Sequence, residues 1–282
     1  MNLFPTLLVA ATAVVYVASN PRLAYSASRD DGPVLHSAAE LAGLHDGNVS
    51  AAIGSVFGGR VAMTPVEHRE EIETSTRNAL DALASAVRPL SNPSALPDAF
   101  ESYFAFRAGH PSDMMKLKPY LYFVDYGLPS SAPRGYVFNM DELSIVDGPF
   151  MVAHGRGSAA SSAGVPTRFS NAFGAATTSL GLYVAQELYN FTGHAGGRSY
   201  HSVGLRLAGV SGDFNDNARA RGVVAHGAPY VTSKRAGRSE GCPAMETARA
   251  KRLLPKLANG GLVFLFAPDS DWMKHDPWII AG

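Results

Sequence analysis

From Tyr120 onward the chain is a succession of short segments rich in aromatic and β-branched residues, each closed by a cluster of Gly, Pro, Asn or Asp. No other feature restricts the fold as much. The segments are 120–126, 135–140, 150–153, 179–186, 200–207 and 223–225. Their composition suits pleated, half-buried backbone, and clusters such as Asp147-Gly148-Pro149 and 193–197 read as turns between strands. One helix is expected after Cys242, over 244–254, with Pro255 interrupting it; Gly260-Gly261 then leads into a last strand, 262–266. This half of the chain reads as a mainly β domain.

The preceding part has a different texture. Thr64 can cap a helix, Pro65 suits the first helical position, and Glu67 completes a capping box. Ile72, Thr76, Ala79, Leu80, Leu83 and Val87 fall on one helical stripe that Pro89 ends. Residues 91–97 read as a connector. A second short helix, 98–108, sets Phe100, Tyr103, Phe104 and Arg107 in a row, with the aromatics as core packing. Residues 28–59 are rich in Ala and Gly with weak periodicity and take no assignment.

Residues 3–18 form an apolar run broken only by Pro5, Thr6, Thr12 and Tyr16, followed by the small residues Ala18, Ser19 and Ala27. The run has the length of a signal-peptide core rather than a comfortable membrane span, although no Lys or Arg precedes it. An uncleaved membrane anchor is the rival reading. The expected organisation is a signal peptide or anchor at 1–27, a helical N-terminal region at 28–97, and a catalytic domain at 98–282.

Basic and acidic residues balance at 24 each, with no basic run, so nothing in the charge pattern draws the chain to nucleic acid. A single Cys rules out an intrachain disulfide framework. A solitary thiol in an exported, oxidising setting points to chemistry rather than cross-linking.

That thiol lies in the most informative stretch, VVAHGAPYVTSKRAGRSEGCPA from Val223 to Ala244. A strand delivers His226 and Gly227, a loop follows, and Ser239-Glu240-Gly241-Cys242 ends at an expected helix start. His226 and Cys242 are too far apart for one helix face, but they suit neighbouring loop ends of a sheet. An ordinary thiol, with a pKa of about 8.5, is a weak nucleophile near neutrality until something activates it. His226 can take its proton or hold the thiolate as an ion pair, and a helix beginning at Pro243 would add a positive dipole end. Pro243 has no N–H, so the oxyanion-hole donors become the backbone N–H groups of Cys242 and Gly241. On residue pairing alone, a buried thiol and a satisfied strand-end histidine remain the competing reading.

His-Gly followed by Ser-x-Gly-Cys resembles the catalytic signature of the L,D-transpeptidase (YkuD-like) family, and further motifs resemble its larger murein L,D-transpeptidase branch. They run in order: Tyr122-Phe123-Val124-Asp125-Tyr126, the 136–140 strand, Val152-Ala153-His154-Gly155-Arg156-Gly157-Ser158, Arg168-Phe169-Ser170-Asn171, Ser179-Leu180-Gly181-Leu182-Tyr183 and Phe214-Asn215-Asp216-Asn217-Ala218-Arg219. The resemblance spans roughly 98–266. It implies a β-sandwich-like domain, with a helix after the catalytic Cys, acting on peptidoglycan stem peptides in the periplasm or cell envelope without a cofactor. It implies Cys242 as nucleophile, His226 as general base, the Gly227 carbonyl as orienter of the imidazole, and Ser239 and Gly241 as shapers of the nucleophile loop. The thioester is resolved by an amine of another stem; in an L,D-carboxypeptidase water would resolve it, and a non-catalytic envelope-binding module is the remaining alternative.

Many relatives carry Arg two residues after the Cys, where this chain has Ala244; Arg238, Arg219 and Arg221 are the candidates for its task. Glu240 would oppose a low thiol pKa if it pointed inward and is expected to face solvent. His154-Gly155 repeats the catalytic dipeptide and is expected either to face substrate or to be a packing feature. Arg219 would bind a stem carboxylate or pair with Asp216, while Asn215, Asp216 and Asn217 are expected to anchor a loop by Asx-type bonds. His194 and His201 flank a Gly-rich loop, but their spacings with His154, His226 and Cys242 match no standard zinc pattern, and no metal is expected. No Ser lies in a Gly-x-Ser-x-Gly setting.

Overall fold

A computed structural model describes residues 65–110 and 116–279. The expected signal or anchor segment, residues 28–64 and the Thr64 cap lie outside the described residues. Among the described residues no helix is long and apolar enough to cross a membrane. The chain divides into two compact units, Met1–Glu70 and Glu71–Gly282.

Helix α1, Pro65–Leu83, continues into a 3-10 turn at Ala84–Ala86. It buries Ile72, Ala79 and Leu83, with Val87 beyond it, which is the stripe expected from the 3.6-residue period. Helix α2, Ala95–Gly109, starts within the stretch read as a connector. The stretch holds two prolines, but Pro97 sits in the first turn, where a missing N–H costs nothing. The Asn92 side chain accepts from the N–H and hydroxyl of Ser94 and shapes the entry. Phe100 and Tyr103 are buried, and Phe100 meets Phe138 edge-on at 5.4 Å.

Ten strands follow: β1 Tyr120–Asp125, β2 Gly135–Asn139, β3 Ser144–Phe150, β4 His154–Gly155, β5 Gly181–Ala195, β6 Arg198–Gly209, β7 Val224–Ala228, β8 Arg238–Ser239, β9 Ala244–Glu246 and β10 Leu262–Phe266. Eight make one mixed sheet in the order β3-β2-β1-β10-β5-β6-β7-β9, while β4 and β8 pair separately in parallel. Within the large sheet β1–β10 and β7–β9 are parallel, and the remaining neighbours are antiparallel. The domain is thus mainly β with a helix after Cys242. That helix, α3 (Thr247–Leu257), buries Ala250, Leu253, Leu254 and Leu257. Helix α4, Ser270–His275, is capped by Asp269, whose carboxylate accepts from the N–H groups of Asp271 and Trp272.

Other boundaries also differ from the sequence reading. Residues 144–150, read partly as a turn, form edge strand β3, and of 150–153 only Phe150 is in a strand, with Ala153 in an isolated bridge to Ala244. Pro149 is tolerated because β3 is an edge, where one ladder N–H can be missing. The β5–β6 hairpin runs further than expected, closing through Gly196 (φ 57°) and Gly197 (φ 73°), the left-handed pair a tight two-residue turn requires. Finally, α3 begins at Thr247 because residues 244–246 are used first to pair with β7. Pro255 lies inside its last turn rather than ending it.

Candidate active site

Strands β7 and β9 run side by side in parallel with His226 opposite Ala244, so Cys242 enters two residues before the position paired with the histidine. His226 is 3% exposed. Its Nδ1 lies 3.2 Å from the Gly227 carbonyl, so Nδ1 carries the proton and donates, leaving Nε2 as the basic nitrogen. The ring of Phe191, from β5, stacks on it at 4.3 Å. Burial pushes the imidazole down to about 4, opposed by the Gly227 carbonyl. Gly227 has a steric role too: a Cβ there would lie 2.4 Å from Ser202 Oγ and 2.9 Å from Ala250 Cβ, so glycine is what lets α3 seat against β7.

Cys242 is partly buried at the wall of a cleft of about 310 Å³, shared with Phe173, Ala176, Arg221, Gly222 and Glu240. Its thiol points toward the Gly222 carbonyl, 4.0 Å away, and makes no hydrogen bond to His226 among the described residues. Burial pushes the thiol above its ordinary value; the Val224 backbone and Arg221 act against that, and Glu240 adds to it. With the imidazole lowered and the thiol raised, both groups are neutral at rest. The expected helix dipole does not act here, because α3 starts at Thr247 and the intervening residues are strand.

The nucleophile loop is tied down by Ser239 and by Thr178, the second of which the sequence did not single out. Ser239 Oγ donates to the Cys242 carbonyl at 2.7 Å and accepts from the Gly241 N–H at 3.2 Å. The Gly241 N–H is therefore engaged within the loop, away from its expected oxyanion role, and Ser239 occupies the loop-shaping position that the resemblance implied. Thr178 is fully buried; its hydroxyl accepts from the Gly155 N–H at 3.1 Å and donates to the Gly241 carbonyl at 3.2 Å. Gly241 sits at φ 128°, and a Cβ would lie 2.7 Å from the Thr177 carbonyl. The β4–β8 pairing and the bond from Arg156 N–H to the Ser239 carbonyl, 2.7 Å, complete the frame.

Of the arginine candidates, only Arg221 reaches this cleft. Arg219 pairs with Glu187 at 2.9 Å, not with Asp216, and also donates to Gln186. Arg238 is exposed on β8, in register with His154. His154 is not substrate-facing: it is fully buried, with Nδ1 accepting from Arg134 Nη2 at 3.0 Å, and burial with Arg134 and Arg238 nearby pushes it down to about 4. Glu240 is exposed as expected and is clasped by Arg156 Nε at 2.7 Å, yet it borders the cleft. Asn215 anchors its loop by accepting from the Ser211 N–H and donating to the Leu180 and Leu182 carbonyls. His194 and His201 lie on the β5–β6 hairpin, and among the described residues no three His, Cys, Asp or Glu side chains gather as a metal site would require.

A partly exposed thiol on a rigid loop, next to a strand bearing a buried, singly oriented imidazole, is an arrangement for nucleophilic chemistry. The family model of the L,D-transpeptidase catalytic domain matches residues 91–266, and the chain belongs to that family. Among solved structures, an L,D-transpeptidase from Mycobacterium smegmatis is similar at 14% identity and a TM-score of 0.31, covering 53% of this chain. The chain spans 59% of that structure's length. No curated protein matches.

Proposed function

We propose that this protein is a cysteine-dependent L,D-transpeptidase acting on peptidoglycan stem peptides. The observation that carries the reading is the cleft-lining Cys242 on a braced loop beside His226, whose Nε2 is left basic by the Nδ1 bond to Gly227. His226 accepts the thiol proton as sulfur attacks the carbonyl joining the third residue of a stem to its terminal D-residue. The developing oxyanion is met by the Cys242 N–H, since Ser239 engages that of Gly241. His226 then returns the proton to the departing amine, leaving a thioester. An amine of a second stem attacks the thioester, loses its proton to His226, and expels the thiolate, which is reprotonated.

Because thiol and imidazole are both neutral at rest, this is general-base activation rather than a standing ion pair, and the thiol must turn from Gly222 toward His226. Apo geometry of this kind commonly tightens on substrate binding. The test is intact-protein mass after incubation with a stem tetrapeptide, alongside Cys242→Ala. A covalent adduct on the wild type only, with release of the terminal D-residue, is expected. No adduct and no release across tri-, tetra- and pentapeptide stems would favour a binding module. Adding an acceptor stem separates cross-linking from hydrolysis. Export to the periplasm or cell envelope is part of the proposal and rests on the apolar run at residues 3–18; cell fractionation tests both export and retention at the membrane.

A further inference from the structure

We infer that Arg221 forms a carboxylate subsite beside Cys242, holding the free carboxylate of the terminal residue that departs when the thiol is acylated. The inference rests on the acyl-transfer reading above and names which donors that site accepts.

The placement comes first. Arg221 lines the same cleft as Cys242, and its Nη2 would be 3.7 Å from a Cβ built on Gly241, the residue before the nucleophile. Its bonding comes second. Nη1 donates to the Ser170 carbonyl at 3.0 Å and to Ser179 Oγ at 3.4 Å, and Nη2 donates to the Thr177 carbonyl at 2.9 Å. All three acceptors are neutral, and no carboxylate pairs with Arg221 among the described residues. Glu240, the acid on the same cleft, is occupied by Arg156. The guanidinium has more donors than these acceptors consume, and three bonds to the segment 170–179 hold it in place before any ligand arrives.

A fixed cation without a counter-ion at the wall of a cleft is suited to an anionic group. In the donor peptide the scissile nitrogen and the terminal carboxylate are attached to the same carbon. A carbonyl placed on Cys242 sulfur therefore brings that carboxylate into the immediate neighbourhood of the thiol, where Arg221 stands. Extending the stem by one residue moves the carboxylate away, and amidation removes its charge. The subsite thus selects a stem whose leaving residue is the last one.

The test compares a stem tetrapeptide with its C-terminal amide in two measurements. The first is calorimetric binding to Cys242→Ala, where no chemistry occurs. The second is kcat/KM for release of the terminal residue, in the wild type, Arg221→Lys and Arg221→Gln. The acid is expected to bind and react about 10- to 100-fold better than the amide. Arg221→Gln should bring that ratio near one, chiefly through KM, and Arg221→Lys should retain part of it. Equal binding of acid and amide overturns the inference, and that comparison needs no Arg221 variant to fold. Equal losses on both substrates in Arg221→Gln also overturn it, leaving only a brace for 170–179. A binding preference for the acid without acylation supports the subsite and overturns acyl transfer alone.

Discussion

The ring of Phe191 lies on that of His226, with centroids 4.3 Å apart and planes 25° from parallel. The two belong to strands β5 and β7, which are separated by β6. The middle strand offers Gly204 opposite His226 on one side and Tyr189 on the other. A Cβ at Gly204 would be 2.7 Å from the Tyr189 ring and 3.1 Å from Phe191 Cβ, so the missing side chain leaves the room in which Phe191 reaches the imidazole.

Removing that cover should let water reach the histidine. In Phe191→Ala the His226 titration is expected to move up from about 4 toward the ordinary value near 6.5, because burial is the main cause of its depression. The acid limb of kcat/KM should move with it, while Phe191→Tyr stays near wild type. Imidazole proton chemical shifts followed through a pH titration read the change directly. An unmoved midpoint would show that the sheet alone buries the ring.

Thiol reactivity distinguishes a neutral pair from an ion pair. Burial holds the Cys242 thiol above its ordinary range, so iodoacetamide alkylation should be slow at pH 7 and climb with pH through a midpoint above that of a free thiol. Fast, flat alkylation between pH 5 and 7 would mean that His226 stores the thiolate. Arg221→Gln should raise the midpoint further, since its guanidinium favours the thiolate.

His154 gives stability a pH slope. Its folded-state pKa, about 4, is below the ordinary 6.5, so the folded protein binds fewer protons than the unfolded chain between those values. The stabilisation is fully present above about pH 6.5 and is lost as pH falls through 4. Urea unfolding at pH 7 and pH 5 should show a loss for the wild type that is smaller in His154→Gln, by about 2 kcal/mol. Asp98, raised to about 6 by burial, works in the opposite sense in both proteins and cancels in the comparison.

Thr178 is a buried two-way link, from the Gly155 N–H to the Gly241 carbonyl. Thr178→Val keeps the shape and leaves both backbone groups unpaired, which should cost about 1–3 kcal/mol of stability. It should also lower the rate of Cys242 acylation by about 10-fold as the nucleophile loop loosens. Thr178→Ser keeps the hydroxyl and should restore most of both. Acylation at the wild-type rate in the valine variant, with stability reduced, would place Thr178 outside the catalytic frame.

What local chemistry specifies was legible in the sequence. The apolar stripe of α1, most of the strand segments and the Gly-rich hairpin turn follow from periodicity and backbone preference, which act over a few residues. Cys242, His226 and Gly227 were legible as a motif, but the contact of the Gly227 carbonyl with the imidazole was not: His154-Gly155 is the same dipeptide, and its imidazole meets Arg134 instead. Gly241 was legible as part of the nucleophile loop, whereas the Thr177 carbonyl that leaves no room for a Cβ there is brought up by the fold.

What depends on pairing between distant segments was not. The start of α3 was misplaced because residues 244–246 satisfy their backbone groups with β7, a partner that no local pattern reveals. His154 and His226 share a dipeptide and a depressed pKa, yet one is sealed against Arg134 and the other stands by the thiol. Arg238 is close to Cys242 along the chain but does not line its cleft, whereas Arg221 reaches the cleft because the segment 170–179 folds over and fixes its guanidinium. Sequence by itself determined which groups could do chemistry, since that is a property of residue type and immediate neighbours. Tertiary structure alone decided which charge, ring and hydroxyl surround them, because burial and hydrogen bonding are set by segments that meet only when the sheet closes.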